Sequence, residues 1–106
     1  MKREDVLYWI GQLDERTVEN PIRRVQALRI LAPTLDKYPW VVDAVIKRLK
    51  EDSQSGVRQG AATILGEMAR PTRQVREVLA WAAENDDMSF VQVAAANALV
   101  KFDNLK

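Results

Sequence analysis

A period of 34 residues runs through the chain. Ala27, Ala61 and Ala95 lie 34 residues apart (61−27 and 95−61), and the leucines four positions after each of them keep the same spacing. A fixed period of this length is typical of stacked helical hairpins, in which each hairpin buries its apolar face against its neighbours. The repeat therefore restricts the chain to an array of similar helix pairs.

The apolar spacing within each repeat is helical. Val6, Trp9, Ile10 and Leu13 fall at i, i+3, i+4 and i+7, which marks one buried stripe on a helix. Similar stripes begin at positions 42, 57, 75 and 91. Together these stripes and the turn residues between them predict six helices, at 4–16, 21–35, 39–51, 55–69, 72–85 and 89–102.

Prolines punctuate the predicted helices. Proline suits the first helical position, because its missing N–H would have no partner there, and it ends or kinks a helix further in. The sequence predicts that Pro21, Pro39 and Pro71 open the second, third and fifth helices. Pro33 is predicted to end or kink the second helix. Asn20 is the expected N-cap before Pro21, and Ser89 with Gln92 matches a capping box for the last helix.

Composition narrows the chemistry available to the chain. Its 106 residues contain neither Cys nor His, which excludes thiolate nucleophiles, disulfides and imidazole ligands for zinc. Lys and Arg number 16 against 15 Asp and Glu, a balance that disfavours a dedicated nucleic-acid binder. The start of the chain is amphipathic and charged, and no apolar run approaches membrane-spanning length. We therefore expect a cytoplasmic protein, with no membrane role.

One acidic cluster raises the question of catalysis or metal binding. Glu84, Asp86 and Asp87 precede the last predicted helix. Paired carboxylates can perform acid–base chemistry or hold a hard cation. Acidic residues at a helix start are also stabilised by the helix dipole, and no glycine-bearing calcium loop accompanies these three. The sequence therefore predicts no enzyme activity, no cofactor and no metal site.

The second, fourth and sixth predicted helices carry a recognisable motif, that of the first helix of a repeat. Residues 57–66 read V-R-Q-G-A-A-T-I-L-G, residues 91–99 repeat the pattern with Gln in place of Arg, and residues 23–31 are a looser copy. This motif resembles that of HEAT-like (PBS-lyase-type) helical repeats. The resemblance implies an all-α, right-handed α-α superhelix of six helices in three hairpins, as a single domain over 1–106. The resemblance also implies that Arg58 bonds across the inter-repeat turn, to Asp52 or Asp86. It is a weak guide to function, because one fold serves many roles.

Aromatic residues suggest where a partner would bind. Trp81 lies off the apolar stripe, at the repeat position of Gln12 and Arg48, and Tyr8 and Glu77 stand one helical turn before that position. These residues are expected to line up along the first helices of the three hairpins, the concave side of such arrays, where partners commonly dock. Exposed Trp, Tyr and Arg tend to dominate binding energy. The predicted function is therefore a non-catalytic protein-binding or scaffold module whose contact residues are Tyr8, Gln12, Trp40, Arg48, Glu77 and Trp81.

Several alternatives stay open. The region of Arg23, Arg24 and Arg29 is locally basic and favours a nucleic-acid-associated role, which steeply salt-dependent binding would reveal. The resemblance also admits a truncated relative of the bilin lyases, although the sequence offers no acid–base residues for that chemistry. The last predicted helix is apolar nearly all round, which indicates either a piece of a longer array or self-association through that helix.

Overall fold

The computed structural model describes residues 1–105, and within them it contains α-helices, one short 3₁₀ turn and no strand. The helices are α1 (Arg3–Gly11), α2 (Pro21–Leu31), α3 (Pro39–Glu51), α4 (Ser55–Leu65), α5 (Arg73–Asn85) and α6 (Ser89–Asp103), with the 3₁₀ turn at Ala32–Thr34. This arrangement confirms the expected all-α architecture and its six helices over residues 1–105.

The helices form three hairpins stacked side by side. α1 packs on α2, α3 on α4 and α5 on α6, and contacts between hairpins run mainly through α2, α4 and α6. We call α2, α4 and α6 the even row, and α1, α3 and α5 the odd row. The molecule is 17 Å across its thinnest dimension, which matches two layers of helices. Between the rows lies one apolar core, to which all six helices contribute.

The residues predicted to cap or open the helices hold at two helices and fail at two. Asn20 caps α2 by accepting a hydrogen bond from the Ile22 amide at 2.9 Å, and proline opens α2 and α3 as expected. Pro71 does not open α5: the Thr72 hydroxyl accepts from the Val75 amide at 3.2 Å and makes Thr72 the N-cap. The predicted capping box of α6 is wrong as well, because Ser89 is already the first helical residue.

Two predicted helix ends were too long. α1 stops at Gly11 rather than at 16, because Asp14 starts a local turn in which its carboxylate accepts from the Arg16 amide at 2.9 Å. α4 stops at Leu65 rather than at 69. There the following turn is held by Asp36, whose carboxylate accepts from the backbone amides of residues 69 and 70 at 3.0 and 2.8 Å. A helix break after Leu31, before Pro33, follows the prediction.

α4 and α6 approach each other unusually closely. A Cβ placed on Gly66 would lie 2.6 Å from the Ala98 Cβ and 2.9 Å from the Ala98 Cα. Only glycine fits such a contact, because the nearer atoms are a methyl group and the backbone itself and no rotamer change relieves it. Small residues thus set the spacing of the even row.

Candidate functional site

Buried ion pairs between arginine and aspartate side chains connect neighbouring helices and hairpins. The Arg24 guanidinium is 1% exposed and grips the Asp52 carboxylate through two bonds of 3.0 and 2.8 Å. Its third nitrogen donates to the carbonyl of Val18 at 2.7 Å. Asp52 in turn caps the next turn by accepting from the Gln54 amide at 3.0 Å. The side chain therefore ties the end of α3 to the start of α2.

The same arrangement recurs one repeat later. Arg58 bonds Asp86, 28 residues ahead, at 3.0 and 3.3 Å, as Arg24 bonds Asp52 at the same separation. It also donates to the Asp52 carbonyl, six residues back, at 2.9 Å. Both partners suggested by the resemblance are thus used, Asp86 through its carboxylate and Asp52 through its backbone. Gln92 keeps the bond to the carbonyl six residues back, at 2.8 Å, and as a neutral amide needs no carboxylate.

The electrostatics of this second pair favour its charged form. Burial raises the pKa of the Asp86 carboxyl, but the hydrogen bond from Arg58 and the one from the Met88 amide outweigh it, so the net pKa lies below its usual range. The hydrogen bond that Arg58 donates to Asp86 raises the pKa of Arg58. Asp87 accepts a further bond from Arg58 at 2.8 Å. Two members of the acidic cluster thus stabilise a turn, and residues 1–105 hold no group of acidic side chains arranged for a metal ion.

Arg48 belongs to this charge network and not to the surface. It is 6% exposed and donates to Asp52 at 3.1 Å, with Glu15 at 3.7 Å. The premise that Arg48 is an exposed contact residue is therefore wrong. The physical reason is that Asp52, one helical turn ahead, lies where Arg24 already approaches, so one carboxylate serves two guanidiniums. Arg24 is likewise removed from the basic surface on which the nucleic-acid alternative depends.

The odd row carries a furrow between α3 and α5. It has a volume of about 270 Å³, and its walls are Ile46, Lys50, Gln74, Glu77, Val78 and Trp81. Ile46 and Val78 are buried and form the floor, whereas Trp81 is 43% exposed at the edge. Lys50 and Glu77 place opposite charges beside it. Glu77 and Trp81 thus lie together, as predicted from their spacing.

The other predicted contact residues do not extend this furrow into one continuous row. Ala44 and Arg48 line a smaller furrow of 150 Å³ between α1 and α3. Gln12 accepts from Arg23 at 3.4 Å and so turns towards α2. Tyr8 is exposed and meets the Trp9 ring edge-on, with centroids 5.1 Å apart. Trp40 is half-buried against Tyr38, with ring centroids 5.0 Å apart.

Sequence reasoning missed two grooves on the even row. One lies between α4 and α6, has a volume of 500 Å³ and includes Phe90 and Val93. The other lies between α2 and α4 and has a volume of 300 Å³. Most of their lining positions correspond across the 34-residue period, so they are two copies of one feature. Gly60 was the available signal for the groove between α2 and α4, because a glycine without a Cβ leaves a gap on the helix surface there.

No helix within residues 1–105 combines the length and apolarity needed to span a membrane. A family model described as HEAT repeats matches residues 42–106, which is more than half of the chain. The match begins within α3 and includes α4 to α6, the part in which the Arg58–Asp86 bond and the close approach of Gly66 to Ala98 occur. Neither a curated protein nor a solved structure matches the chain significantly.

Proposed function

Because the chain belongs to the HEAT repeats family, we propose that it is a non-catalytic protein-binding module that docks its partner along the odd row, with Trp81 as the principal anchor. The observation that carries this proposal is the exposure of Trp81. Its counterpart in the preceding repeat, Arg48, is buried in the charge network, whereas Trp81 leaves 43% of its surface open beside a furrow.

The chemistry of the furrow suggests the character of the partner. An indole ring offers a large apolar face at a low cost in conformational entropy, and tryptophan is enriched among residues that dominate binding energy. Lys50 and Glu77 flank it with opposite charges. The proposed ligand is a protein segment that places an apolar side chain against Trp81 and polar groups opposite these two residues.

The remaining predicted contact residues take different parts in the proposal. Tyr8 and Trp40 offer aromatic surface on the same row, at α1 and at the start of α3. Gln12 lies at the α1 end, where Arg23 holds it. Arg48 contributes by holding α3 in place through Asp52, without contacting the partner.

The experiment is an affinity capture from the source lysate with three forms of the chain: wild type, Trp81→Ala and Phe90→Ala. Phe90 is a matched control, since it is an aromatic residue of similar exposure, 37%, on the even row. We expect a protein that wild type and Phe90→Ala retain and Trp81→Ala loses. Circular dichroism melting of each variant verifies that the fold is intact.

Two results would refute the proposal. One is a partner retained equally by Trp81→Ala and wild type, which would remove the furrow from binding. The other is recovery of nucleic acid alone, with binding that weakens steeply as salt rises, which would transfer the function to the exposed arginines.

A further inference from the structure

The outer face of α6 repeats the faces through which α2 and α4 bind their neighbours. In each even-row helix, two positions face the next helix of the row. They are spaced by the 34-residue period: Leu28 in α2 and Ala32 directly after that helix, Ala62 in α4 and Gly66 directly after that helix, and Ala96 and Val100 in α6. Leu28 faces Gly60 of α4, and Gly66 faces Ala98 of α6. Ala96 and Val100 therefore stand where a further helix would pack.

Exposure separates this last face from the two internal ones. Leu28 and Ala62 are completely buried within the structure. Their counterpart Ala96 is exposed and Val100 is 59% exposed. Val93, three residues before Ala96, lies where this face borders the groove between α4 and α6 and is 57% exposed. An apolar stripe of this kind marks a surface that packs against another helix.

The opposite end of the even row is built differently. Arg23 of α2 occupies the repeat position of Val57 and Val91, which are both completely buried. Gln26 occupies the position of Gly60, where the helices of the row come close. A helix packed against this end of α2 would bury the Arg23 charge and displace the Gln26 side chain, at a cost in desolvation. The α2 end exposes one apolar side chain, Ile22, but beside it stand the charge of Arg23 and the amide of Gln26, so it is a poorer complement to the apolar face of α6 than a second copy of that face.

We propose that α6 pairs with α6 of a second copy of this chain in an isologous, two-fold contact. The apolar stripe continues an interface that the chain already uses twice, and the charged α2 end argues against a head-to-tail contact. A head-to-tail contact would also leave free ends that extend into a filament, whereas an isologous pair closes. With the two-fold axis beside Ala96, Val93 of each copy faces Val100 of the other.

Such a pair would carry two copies of the odd-row furrow on one particle. Two linked docking sites raise the effective affinity for a partner that presents its segment twice. The contact leaves the furrow accessible, because Trp81 lies on α5 and in the other row. Self-association is therefore independent of the proposed partner binding and is tested without a partner.

Sedimentation velocity of the purified 106-residue chain, from low micromolar to millimolar concentration, tests the pairing. We expect the mass to rise from 12.1 kDa to twice that value as the concentration increases. Val100→Lys should weaken dimerisation by at least roughly tenfold, because a two-fold contact places two lysines in one interface. Ile22→Lys is the matched control, an exposed apolar residue on α2, and should dimerise as wild type does.

Disulfide cross-linking then tests whether the two α6 helices meet in a two-fold contact. The natural chain has no cysteine, so an Ala96→Cys variant carries a single thiol that an isologous contact places opposite itself. Under oxidation with diamide it should form a covalent dimer, whereas Ile22→Cys should not. A wild-type chain that stays monomeric at every concentration would overturn the proposal. So would a dimer that Val100→Lys leaves intact and Ile22→Lys abolishes.

Discussion

Replacing Gly66 with alanine should destabilise the protein through one contact between α4 and α6. The new Cβ would lie 2.6 Å from the Ala98 Cβ and 2.9 Å from its Cα. Both distances are far below ordinary van der Waals contact, and the second involves backbone, so the helices must move apart. Overpacking of this kind costs about 1–3 kcal/mol.

Two glycines within α4, the helix that Gly66 follows, provide controls for the same chemical change. A Cβ on Gly56 meets nothing within 4 Å, and one on Gly60 meets Leu28 at 3.4 Å, an ordinary contact. Alanine is favoured over glycine within a helix by about 1 kcal/mol. We therefore expect Gly56→Ala and Gly60→Ala to be neutral or stabilising while Gly66→Ala is destabilising.

Urea unfolding followed by circular dichroism measures the three free energies, and thermal melting should show about 4–8 °C for each kcal/mol. Ala98→Gly supplies the second half of a double-mutant cycle. It removes the 2.6 Å clash and leaves the 2.9 Å one, so Gly66→Ala should cost less in that background. The reasoning would be refuted if Gly66→Ala were as well tolerated as Gly60→Ala, or if its cost were the same in both backgrounds.

Three further predictions concern the charge network and the furrow. Asp52→Ala leaves two buried guanidiniums without their carboxylate and should lower the free energy of unfolding by about 3–5 kcal/mol. Glu15→Ala, at a side chain that is 27% exposed, should lower it by about 1 kcal/mol or less. Equal losses of the two variants in urea unfolding would contradict this ranking. Because the folded-state pKa of Asp86 is lowered, the stability it contributes is present above the unfolded-state pKa of about 3.9 and is lost as the pH falls through the folded-state value. The stability difference between wild type and Asp86→Asn, measured by urea unfolding, should therefore be constant near neutral pH and shrink below about pH 4; a difference that grows in acid would contradict the pairing. Trp81→Ala should change the free energy of unfolding by about 1 kcal/mol or less, and a loss of several kcal/mol would instead identify Trp81 as a core residue.

Much of the architecture was predictable because it depends on local pattern. The 34-residue period and the helical spacing of apolar residues predict both rows, since each stripe must be buried against its neighbours. Pro21 and Pro39 mark helix starts whose geometry is decided within a few residues. The ends of α1 and α4 were harder to predict from the sequence, because each depends on a carboxylate that accepts backbone hydrogen bonds. Asp14 stabilises a turn within its own segment, and Asp36 holds a loop of another hairpin.

The candidate site was less predictable, since it depends on contacts distant in sequence. Arg48 was expected at the surface from its place off the apolar stripe. It is buried because Asp52 and Glu15, from two different segments, surround its guanidinium. The i, i+4 spacing of Arg48 and Asp52 was a usable signal, but nothing local shows that Arg24 shares the same carboxylate. Trp81 carries no charge that a buried carboxylate could hold, and 43% of it is exposed, as predicted.

Photo-cross-linking in the source cells tests the proposed binding surface most directly. A photoreactive residue replaces Glu77, at the edge of the furrow, and in a control chain it replaces Thr63, in the groove between α4 and α6. Our account predicts a protein adduct from position 77 that disappears when Trp81→Ala is added, and no such adduct from position 63. An adduct formed equally at both positions, or one from position 77 that survives the loss of Trp81, would contradict it.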